Sequence, residues 1–295
     1  MSYSSREFRS VQSFSRRLGR EVAPWAAVLA VAVIVPRLLW AQYLDPFQDG
    51  YQNWWIARYL VETGTYWDPF SGMTQGNWLP GYHGFLALMT LPLGSHIMPT
   101  FKLVNILFSL ATTGVIYLLA RPRGREVALL AALLFALNPA DIVITTFATP
   151  EALTLFSVFA GVLVVERRPW NERASLALGS GLFLLAVTLR YEAWGFVLLY
   201  LAWTWWRKGL PTRTVVAVGL PAVTFIVGWL VWTLQFGLLP QTIIAQTSVD
   251  LLYKDSIGAL ASAPERLWGF SLWYLGWTPF ALLALAWGVM RERGS

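Results

Sequence analysis

Long apolar stretches, separated by short polar intervals, make up most of the chain. A transmembrane α-helix needs about 20 predominantly apolar residues to span roughly 30 Å of hydrocarbon. Single stretches of this length lie at residues 24–43, 101–120, 215–236 and 267–290. The interval 125–167 is long enough for two spans, with an outer turn near 138–151 where Pro139 and Pro150 break the helical pattern. This pattern predicts an all-α polytopic membrane protein.

Two further segments depart from this simple pattern. Residues 174–206 form an apolar run that is too long for one crossing, yet both of its flanks are basic. Two short helices that meet at Arg190-Tyr191-Glu192 satisfy both conditions. The run 82–98 is interrupted by a proline, a glycine and a histidine, so we interpret it as a re-entrant or interfacial piece. The whole pattern predicts about eight membrane crossings.

The composition and the distribution of charge support this class of protein. Of the 295 residues, 56% are hydrophobic and only 13% are charged, whereas soluble domains carry about a quarter charged residues. The net charge of +6 does not indicate nucleic acid as a partner, because the basic residues lie in short clusters between apolar runs, as they do in cytoplasmic loops. The clusters consist of Arg6, Arg9, Arg16, Arg17 and Arg20; Arg121, Arg123 and Arg125; Arg167, Arg168 and Arg173; Arg207, Lys208 and Arg213; Arg291 and Arg293.

These clusters predict the orientation of the chain in the membrane. With all of them inside, both termini are cytoplasmic, residues 1–22 form a basic cytoplasmic tail, and residues 23–295 form a single transmembrane domain. Residues 45–99 then form the first extracytoplasmic loop, which carries interfacial helices. The chain has no cysteine, which excludes disulfides, thiolate metal sites and cysteine nucleophiles.

The first extracytoplasmic loop is predicted to begin with a helix. The helix runs from Asp49 to about Glu62, with Gly64 as the residue just past its end. Asp49 and Gln52 have the spacing of a capping box, and Arg58 with Glu62 has the spacing of an i, i+4 ion pair. An aromatic stripe suited to the membrane interface follows one face: Tyr51, Trp55 and Tyr59.

Two aspartates in this loop are the first candidates for chemistry. Spacing alone favours Asp49 as a helix cap, although a capped carboxylate can also serve as a base. Asp45 precedes Pro46 and has the simpler interpretation of a turn residue. Ionisable residues at the membrane edge are costly, which makes them functional candidates by default.

Four other residues have two open interpretations each. Glu151 either complements the dipole of a span start or faces the same outer cavity as Asp49. Arg190 and Glu192 either neutralise each other or leave Arg190 to bind a phosphate, whose geometry guanidinium matches. His83 either binds a phosphate or caps a helix start.

Several motifs are absent from the sequence. It contains no Walker loop, no G-x-G-x-x-G, no H-E-x-x-H, no nucleophile elbow and no Asp-x-Asp. Nucleotide-sugar chemistry at a soluble active site is therefore not supported. Because the chain has only 2 histidines, a histidine-based metal site is also not expected.

Taken in order, these residues resemble the GT-C superfamily of membrane glycosyltransferases. That superfamily includes oligosaccharyltransferase catalytic subunits, protein O-mannosyltransferases and the lipid A aminoarabinose transferase. In these relatives an acidic residue follows the first span, and the next helix ends like residues 59–64. The interval from Asp49 to Gly64 matches that pattern, while Asp45-Pro46-Phe47 is similar to the Asp-Pro-aromatic of oligosaccharyltransferases. The register between the two aspartates therefore stays open, with Asp49 favoured.

Other matches and departures define how far the resemblance extends. Leu79-Pro80-Gly81 and Ala193-Trp194-Gly195 are similar to family segments, and the resemblance covers residues 24–206. In the family, acidic residues end the second external loop. Here only Glu151 is present, and Thr149 stands where oligosaccharyltransferases have a first acid. Metal dependence is therefore left open. The Trp-Trp-Asp motif of oligosaccharyltransferases is absent.

The resemblance implies a GT-C-like core and an inverting transfer of sugar from a polyprenyl-phosphate donor on the extracytoplasmic side. The acceptor would be a protein, a glycan or a lipid. Asp49, or Asp45, would be the base. No cofactor follows from the motifs, and the resemblance allows a divalent cation, Mg²⁺ or Mn²⁺, at Glu151 with Asp49. The residues expected to bind the donor and its phosphate are Arg190, His83, Glu192 and Tyr82. The alternatives are a non-catalytic subunit with this scaffold and a lipid or sugar transporter.

Overall fold

The computed structural model describes residues 25–43, 48–66, 79–93, 98–168, 171–208 and 211–234. Within these ranges the chain is all-helical, with no strand. The helices are α1 Trp25–Ala41, α2 Gln48–Thr63, α3 Pro80–Leu93, α4 Met98–Ala120, α5 Arg125–Ala136, α6 Pro139–Thr146, α7 Glu151–Arg167, α8 Glu172–Leu189, α9 Glu192–Lys208 and α10 Thr212–Leu234. A 3₁₀ turn, Arg121–Arg123, joins α4 to α5.

The chain divides into two compact units. One comprises Met1–Leu137 with Asp141–Trp232, and the other comprises Asn138–Ala140 with Thr233–Ser295. Nearly all described residues belong to the first unit, and all contacts discussed below lie within it.

Several described helices are suited to a membrane. Three are long and apolar enough to cross it: Thr100–Arg123, Glu172–Leu189 and Thr212–Leu234. The number rises to four when α5 and α6, which meet at an angle of 56°, count as one broken span. Helix α1 is apolar but shorter. The all-helical prediction is therefore confirmed for the described ranges. About eight crossings, and the span at 267–290 outside those ranges, stay predictions.

Two predicted helix boundaries are confirmed. Helix α8 ends at Leu189 and α9 begins at Glu192, so the long apolar run does break at Arg190 and Tyr191. Gly64 has φ +69° and donates its N–H to Leu60 O at 2.9 Å, which ends α2 as predicted. Helix α2 begins at Gln48, one residue before the predicted start at Asp49. Because the Asp49 side chain is outside the described residues, the capping box stays a prediction.

Helices α4, α7 and α8 form the centre of the first unit. The Asn105 side chain near the start of α4 donates to Thr149 O at 3.1 Å, and Arg167 at the end of α7 donates to Leu118 O at 2.8 Å. Helices α4 and α7 therefore run parallel, while α8 returns beside α7. We call residues 147–151 and 190–192 the turn end of this bundle. The opposite, basic end holds Arg121, Arg123, Arg167 and Arg168.

An ion pair inside the bundle joins the two halves of the broken span α5–α6. The Arg37 guanidinium on α1 is fully buried and donates Nη2–H to Asp141 Oδ2, in the first turn of α6. Its Nη1 donates to Ala136 O, the last carbonyl of α5, at 2.9 Å. Pro139 has no N–H to continue the helical hydrogen bonds across the bend. Arg37 therefore supplies donors to both halves of the span.

The remaining polar atoms near this pair are also hydrogen-bonded. Arg37 Nε donates to Thr145 Oγ1 at 3.0 Å, and Nη1 also donates to Val33 O at 3.1 Å. Ser109 on α4 donates its hydroxyl to Asp141 Oδ2 at 3.3 Å. A buried charge pair is tolerated only when its other donors and acceptors are satisfied in this way. The pair thus fixes α1, α4 and both halves of the bend relative to one another.

We expect Arg37→Met to destabilise the protein by about 3–5 kcal/mol, because it removes the cation that compensates the buried Asp141 carboxylate. The double variant Arg37→Met/Asp141→Leu should recover most of that loss, since an apolar pair can replace a buried ion pair. Arg168→Met, at an exposed pair 2.9 Å from Glu172, is the control and should cost less than about 1 kcal/mol. Equilibrium unfolding in mixed detergent micelles measures all three. A double variant no more stable than Arg37→Met would contradict this account.

Helices α3 and α8 approach each other closely at Gly81. A Cβ atom built there would lie 2.6 Å from the carbonyl oxygen of Thr188, whereas one at Gly84 of the same helix would meet nothing within 4 Å. Gly81→Ala should therefore destabilise the protein by about 1–3 kcal/mol, because backbone must move. Gly84→Ala should be neutral or stabilising by up to about 1 kcal/mol. The same unfolding measurement compares them, and equal shifts would exclude the close approach.

Candidate functional site

Five chain segments meet in one apolar cluster near the turn end. Helices α2, α3, α4 and α8 and the segment around the start of α7 all contribute to it. It brings residues that are far apart in the sequence next to the turn at Arg190. The buried members are Ala57, Tyr82, Leu86, Phe101, Ala148, Leu153 and Leu189.

Arg190 lies between two carboxylates at the turn end. Its backbone is extended and caps α8, with the N–H on Ala186 O at 3.3 Å. The guanidinium contacts Glu192 in a bidentate manner, through Nη2 at 2.7 Å and Nε at 3.1 Å, and reaches Glu151 Oε1 through Nη1 at 3.1 Å. The pairing of Arg190 with Glu192, one of the two interpretations that the sequence leaves open, is observed, and Glu151 joins it. Phosphate binding by Arg190 stays a prediction.

The two carboxylates differ in their surroundings. Glu192 is 71% exposed, while Glu151 is 25% exposed and Arg190 is 28% exposed. Glu151 is the first residue of α7 after Pro150, as predicted for a residue that complements the helix dipole. Its second oxygen, Oε2, is buried and has no hydrogen-bond partner among the described residues. Glu151 therefore presents an acceptor that a donor outside those residues can use.

Tyr191 ties the turn to the last described helix. Trp229 Nε1 on α10 donates to the Tyr191 hydroxyl at 3.2 Å, and the Tyr191 ring packs edge-on against Trp194 at 5.0 Å. Burial raises the pKa of the Tyr191 phenol above its usual range. The phenol is therefore neutral at physiological pH and adds no charge beside Arg190.

His83 is buried between helices α2 and α3. Its Nε2 lies 2.9 Å from Asn53 Oδ1 and its Nδ1 lies 2.8 Å from the Tyr66 hydroxyl. The Asn53 amide also donates to Ala148 O at 3.3 Å, which joins α2 to the turn end. Because both ring nitrogens have partners inside the protein, a phosphate could reach His83 only by displacing them. Its predicted phosphate-binding role stays untested.

Tyr82 is also part of the packed interior. It is 2% exposed, and its ring stacks on Phe85 with 6.3 Å between ring centroids. It belongs to the apolar cluster that supports Arg190. The contact of Tyr82 with the polyprenyl-phosphate sugar donor stays a prediction.

The two candidate bases lie at the edge of what the structure describes. Asp49 lies within the first turn of α2, one helical turn before Asn53, but its side chain is outside the described residues. Asp45 lies wholly outside them. Within the described ranges no group of three or more His, Asp or Glu side chains is arranged to hold a metal ion. The predicted metal pair of Glu151 with Asp49 is not tested by that observation.

The buried ion pair of Arg37 and Asp141 is not predicted from the sequence. Arg37 and Asp141 were not among the candidates, although each lies within a predicted apolar stretch or its turn. A charge inside such a stretch is itself a signal, because its cost in hydrocarbon demands a partner. Asn53 and Asn105, whose amides hold the turn end, carried no comparable signal.

The chain was also compared with known proteins. No family model matches it, and no match was found among curated proteins or solved structures.

Proposed function

We propose that the chain is an integral membrane glycosyltransferase of the GT-C type. It would move a sugar from a polyprenyl-phosphate donor to an acceptor on the extracytoplasmic side. The observation that carries the proposal is the arrangement at the turn end. There a partly buried arginine lies between two glutamates, beside the apolar cluster that also includes the helix bearing Asp49.

The chemistry of the donor suits a site at the membrane edge. A polyprenyl chain stays in the bilayer while its phosphate and sugar reach the surface, where the charged turn end meets apolar helices. Guanidinium binds phosphate with well-matched hydrogen bonds. Arg190 is the described residue at this end best suited to that contact, and the buried Glu151 oxygen is a ready acceptor for a hydroxyl of the sugar or acceptor.

The proposed reaction is a single displacement at the anomeric carbon. Asp49 takes the proton of the acceptor hydroxyl while its oxygen forms the new glycosidic bond. The bond between the anomeric carbon and the phosphate oxygen breaks with its electron pair, and negative charge builds on the departing phosphate. Arg190 stabilises that charge. One displacement inverts the anomeric centre. Asp45 is the second candidate for the base, and a divalent cation at Glu151 with Asp49 is an optional aid.

The orientation in the membrane follows the same proposal. Both termini lie in the cytoplasm, about eight helices cross the bilayer, and the turn end faces outward. The gathering of Arg121, Arg123, Arg167 and Arg168 at the opposite end supports this direction, because cytoplasmic loops are enriched in basic residues.

We expect Asp49→Asn to lower the rate of sugar transfer by about 10²–10⁴-fold, the usual contribution of a positioned base. Asp68→Asn, a change of the same kind in the same loop, is the control and should leave the rate unchanged. The measurement is transfer of radiolabelled sugar from polyprenyl-phosphate donors by the purified protein in nanodiscs. If Asp45→Asn abolishes transfer and Asp49→Asn does not, the base is Asp45. Unaltered transfer by both variants would overturn the assignment of the base.

Arg190→Gln should lower kcat/KM for the donor about 10- to 100-fold, the effect of losing one charge-assisted hydrogen bond to the phosphate. The matched control is Arg168→Gln, which breaks a pair with Glu172 at the basic end and should leave kcat/KM unchanged. Size-exclusion profiles verify that both variants are folded. Equal activities of a folded Arg190→Gln variant and the control would remove Arg190 from the site. If the unaltered protein shows no turnover with any donor, the chain is not this enzyme.

A further inference from the structure

His83 is the centre of a chain of hydrogen bonds that crosses three segments. Its side chain is 1% exposed. One ring nitrogen faces Asn53 in the first half of α2, and the other faces Tyr66 just beyond the end of α2. Asn53 continues the chain to Ala148 at the turn end.

The direction of each hydrogen bond follows from what each atom can do. The Ala148 carbonyl can only accept, so the group of Asn53 that faces it is the amide N–H. The Asn53 oxygen then faces His83, and because that oxygen can only accept, His83 Nε2 must carry the proton. In a neutral imidazole the other nitrogen, Nδ1, is an acceptor. It then accepts a hydrogen bond from the Tyr66 hydroxyl. With a neutral ring the chain therefore runs in one direction, from Tyr66 through His83 and Asn53 to Ala148.

We infer that His83 is a positioning residue, held as one neutral tautomer, which fixes α2 against the turn end. A protonated ring would still have a donor for Asn53 and could donate its second N–H to the Tyr66 oxygen, so the burial of the ring, 1% exposed, is what favours the neutral form. The other neutral tautomer would present a lone pair to the Asn53 oxygen. Of the two neutral tautomers, only the Nε2–H form donates to Asn53 and accepts from Tyr66. The inference stands apart from the proposed function, because it needs neither a donor nor a reaction.

This role differs from binding a phosphate. A phosphate ligand requires a ring N–H that points out of the protein, whereas both His83 nitrogens are used within it. Helix α2 begins one turn before Asn53 with the segment that contains Asp49. The position of that segment relative to Glu151 and Arg190 would then depend on His83. This effect would be indirect, because the described hydrogen bonds of His83 are to Asn53 and Tyr66.

The tautomer can be read directly from imidazole ¹⁵N resonances. Since the chain has only 2 histidines, a His96→Gln variant of the full chain in nanodiscs leaves His83 as the single signal. We expect the ¹⁵N resonances of a neutral imidazole, with Nε2 protonated and Nδ1 unprotonated. Added inorganic phosphate should shift neither resonance. Rapidly exchanging tautomers, a doubly protonated ring at neutral pH, or a shift on adding phosphate would each overturn the inference.

The positioning role has its own measurement. The chain has no cysteine, so cysteines introduced at Glu62 on α2 and Leu199 on α9, which are 53% and 73% exposed, can carry two spin labels. We expect one narrow distance for the otherwise unaltered chain and for His83→Gln, whose amide can still donate to Asn53. His83→Phe, which keeps a ring of similar size without hydrogen bonds, should lose that narrow distance. The matched control His96→Phe should retain it. A narrow distance in a folded His83→Phe variant would show that packing alone positions α2.

Discussion

The structure of the first unit depends on one buried charge pair. A guanidinium inside an apolar helix cannot remain unpaired without a large cost in free energy, and here all of its described contacts lie in the bent span or in its own helix. The bend at Leu137 removes a helical donor from the end of α5, and Arg37 replaces that donor while it neutralises Asp141. The bend therefore supplies acceptors for the buried guanidinium, and the guanidinium supplies a donor that the bend requires. Without the bend, Ala136 O would need no outside donor, and without Arg37 the Ala136 carbonyl would lose the side-chain donor that it has in the structure.

The consequences of this bend reach the turn end. Helix α6 is only two turns long, so its direction decides where the segment that follows it lies. The carbonyls of that segment accept hydrogen bonds from two asparagine side chains. Asn105 on α4 donates to Phe147 and Thr149, and Asn53 on α2 donates to Ala148. The segment ends at Glu151, which begins α7 and contacts Arg190. A continuous set of contacts thus joins an ion pair inside the bundle to the charged residues at its end.

Sequence patterns predicted the parts of this arrangement that depend on neighbouring residues. The break at Arg190 and Tyr191 follows from the length of one apolar run, and the end of α2 at Gly64 follows from the only residue type that adopts that conformation without strain. The start of α2, Gln48, lies one residue before the predicted Asp49, because a short acidic residue suits the first turn of a helix as well as the cap. The pair of Arg37 and Asp141 was missed because its members are 104 residues apart. Hydrophobic periodicity carries no information about which distant charge completes a pair, and the amide contacts of Asn53 and Asn105 are equally non-local.

The surroundings of Arg190 indicate which of its two partners an incoming phosphate would replace under the proposed function. Glu192 is mostly exposed, and an exposed ion pair contributes only about 0–1 kcal/mol, so water can take over its contacts at little cost. Glu151 is less exposed and is fixed at the start of α7, where the helix dipole also favours its charge. Exchange of Glu192 for a phosphate would therefore keep Arg190 paired throughout, with Glu151 holding the guanidinium in place. Under the proposed function the two glutamates would then have separate roles. Glu192 would neutralise Arg190 in the empty site, and Glu151 would orient Arg190 in the occupied one. The ion pair of Arg190 with Glu192 is therefore compatible with phosphate binding by Arg190.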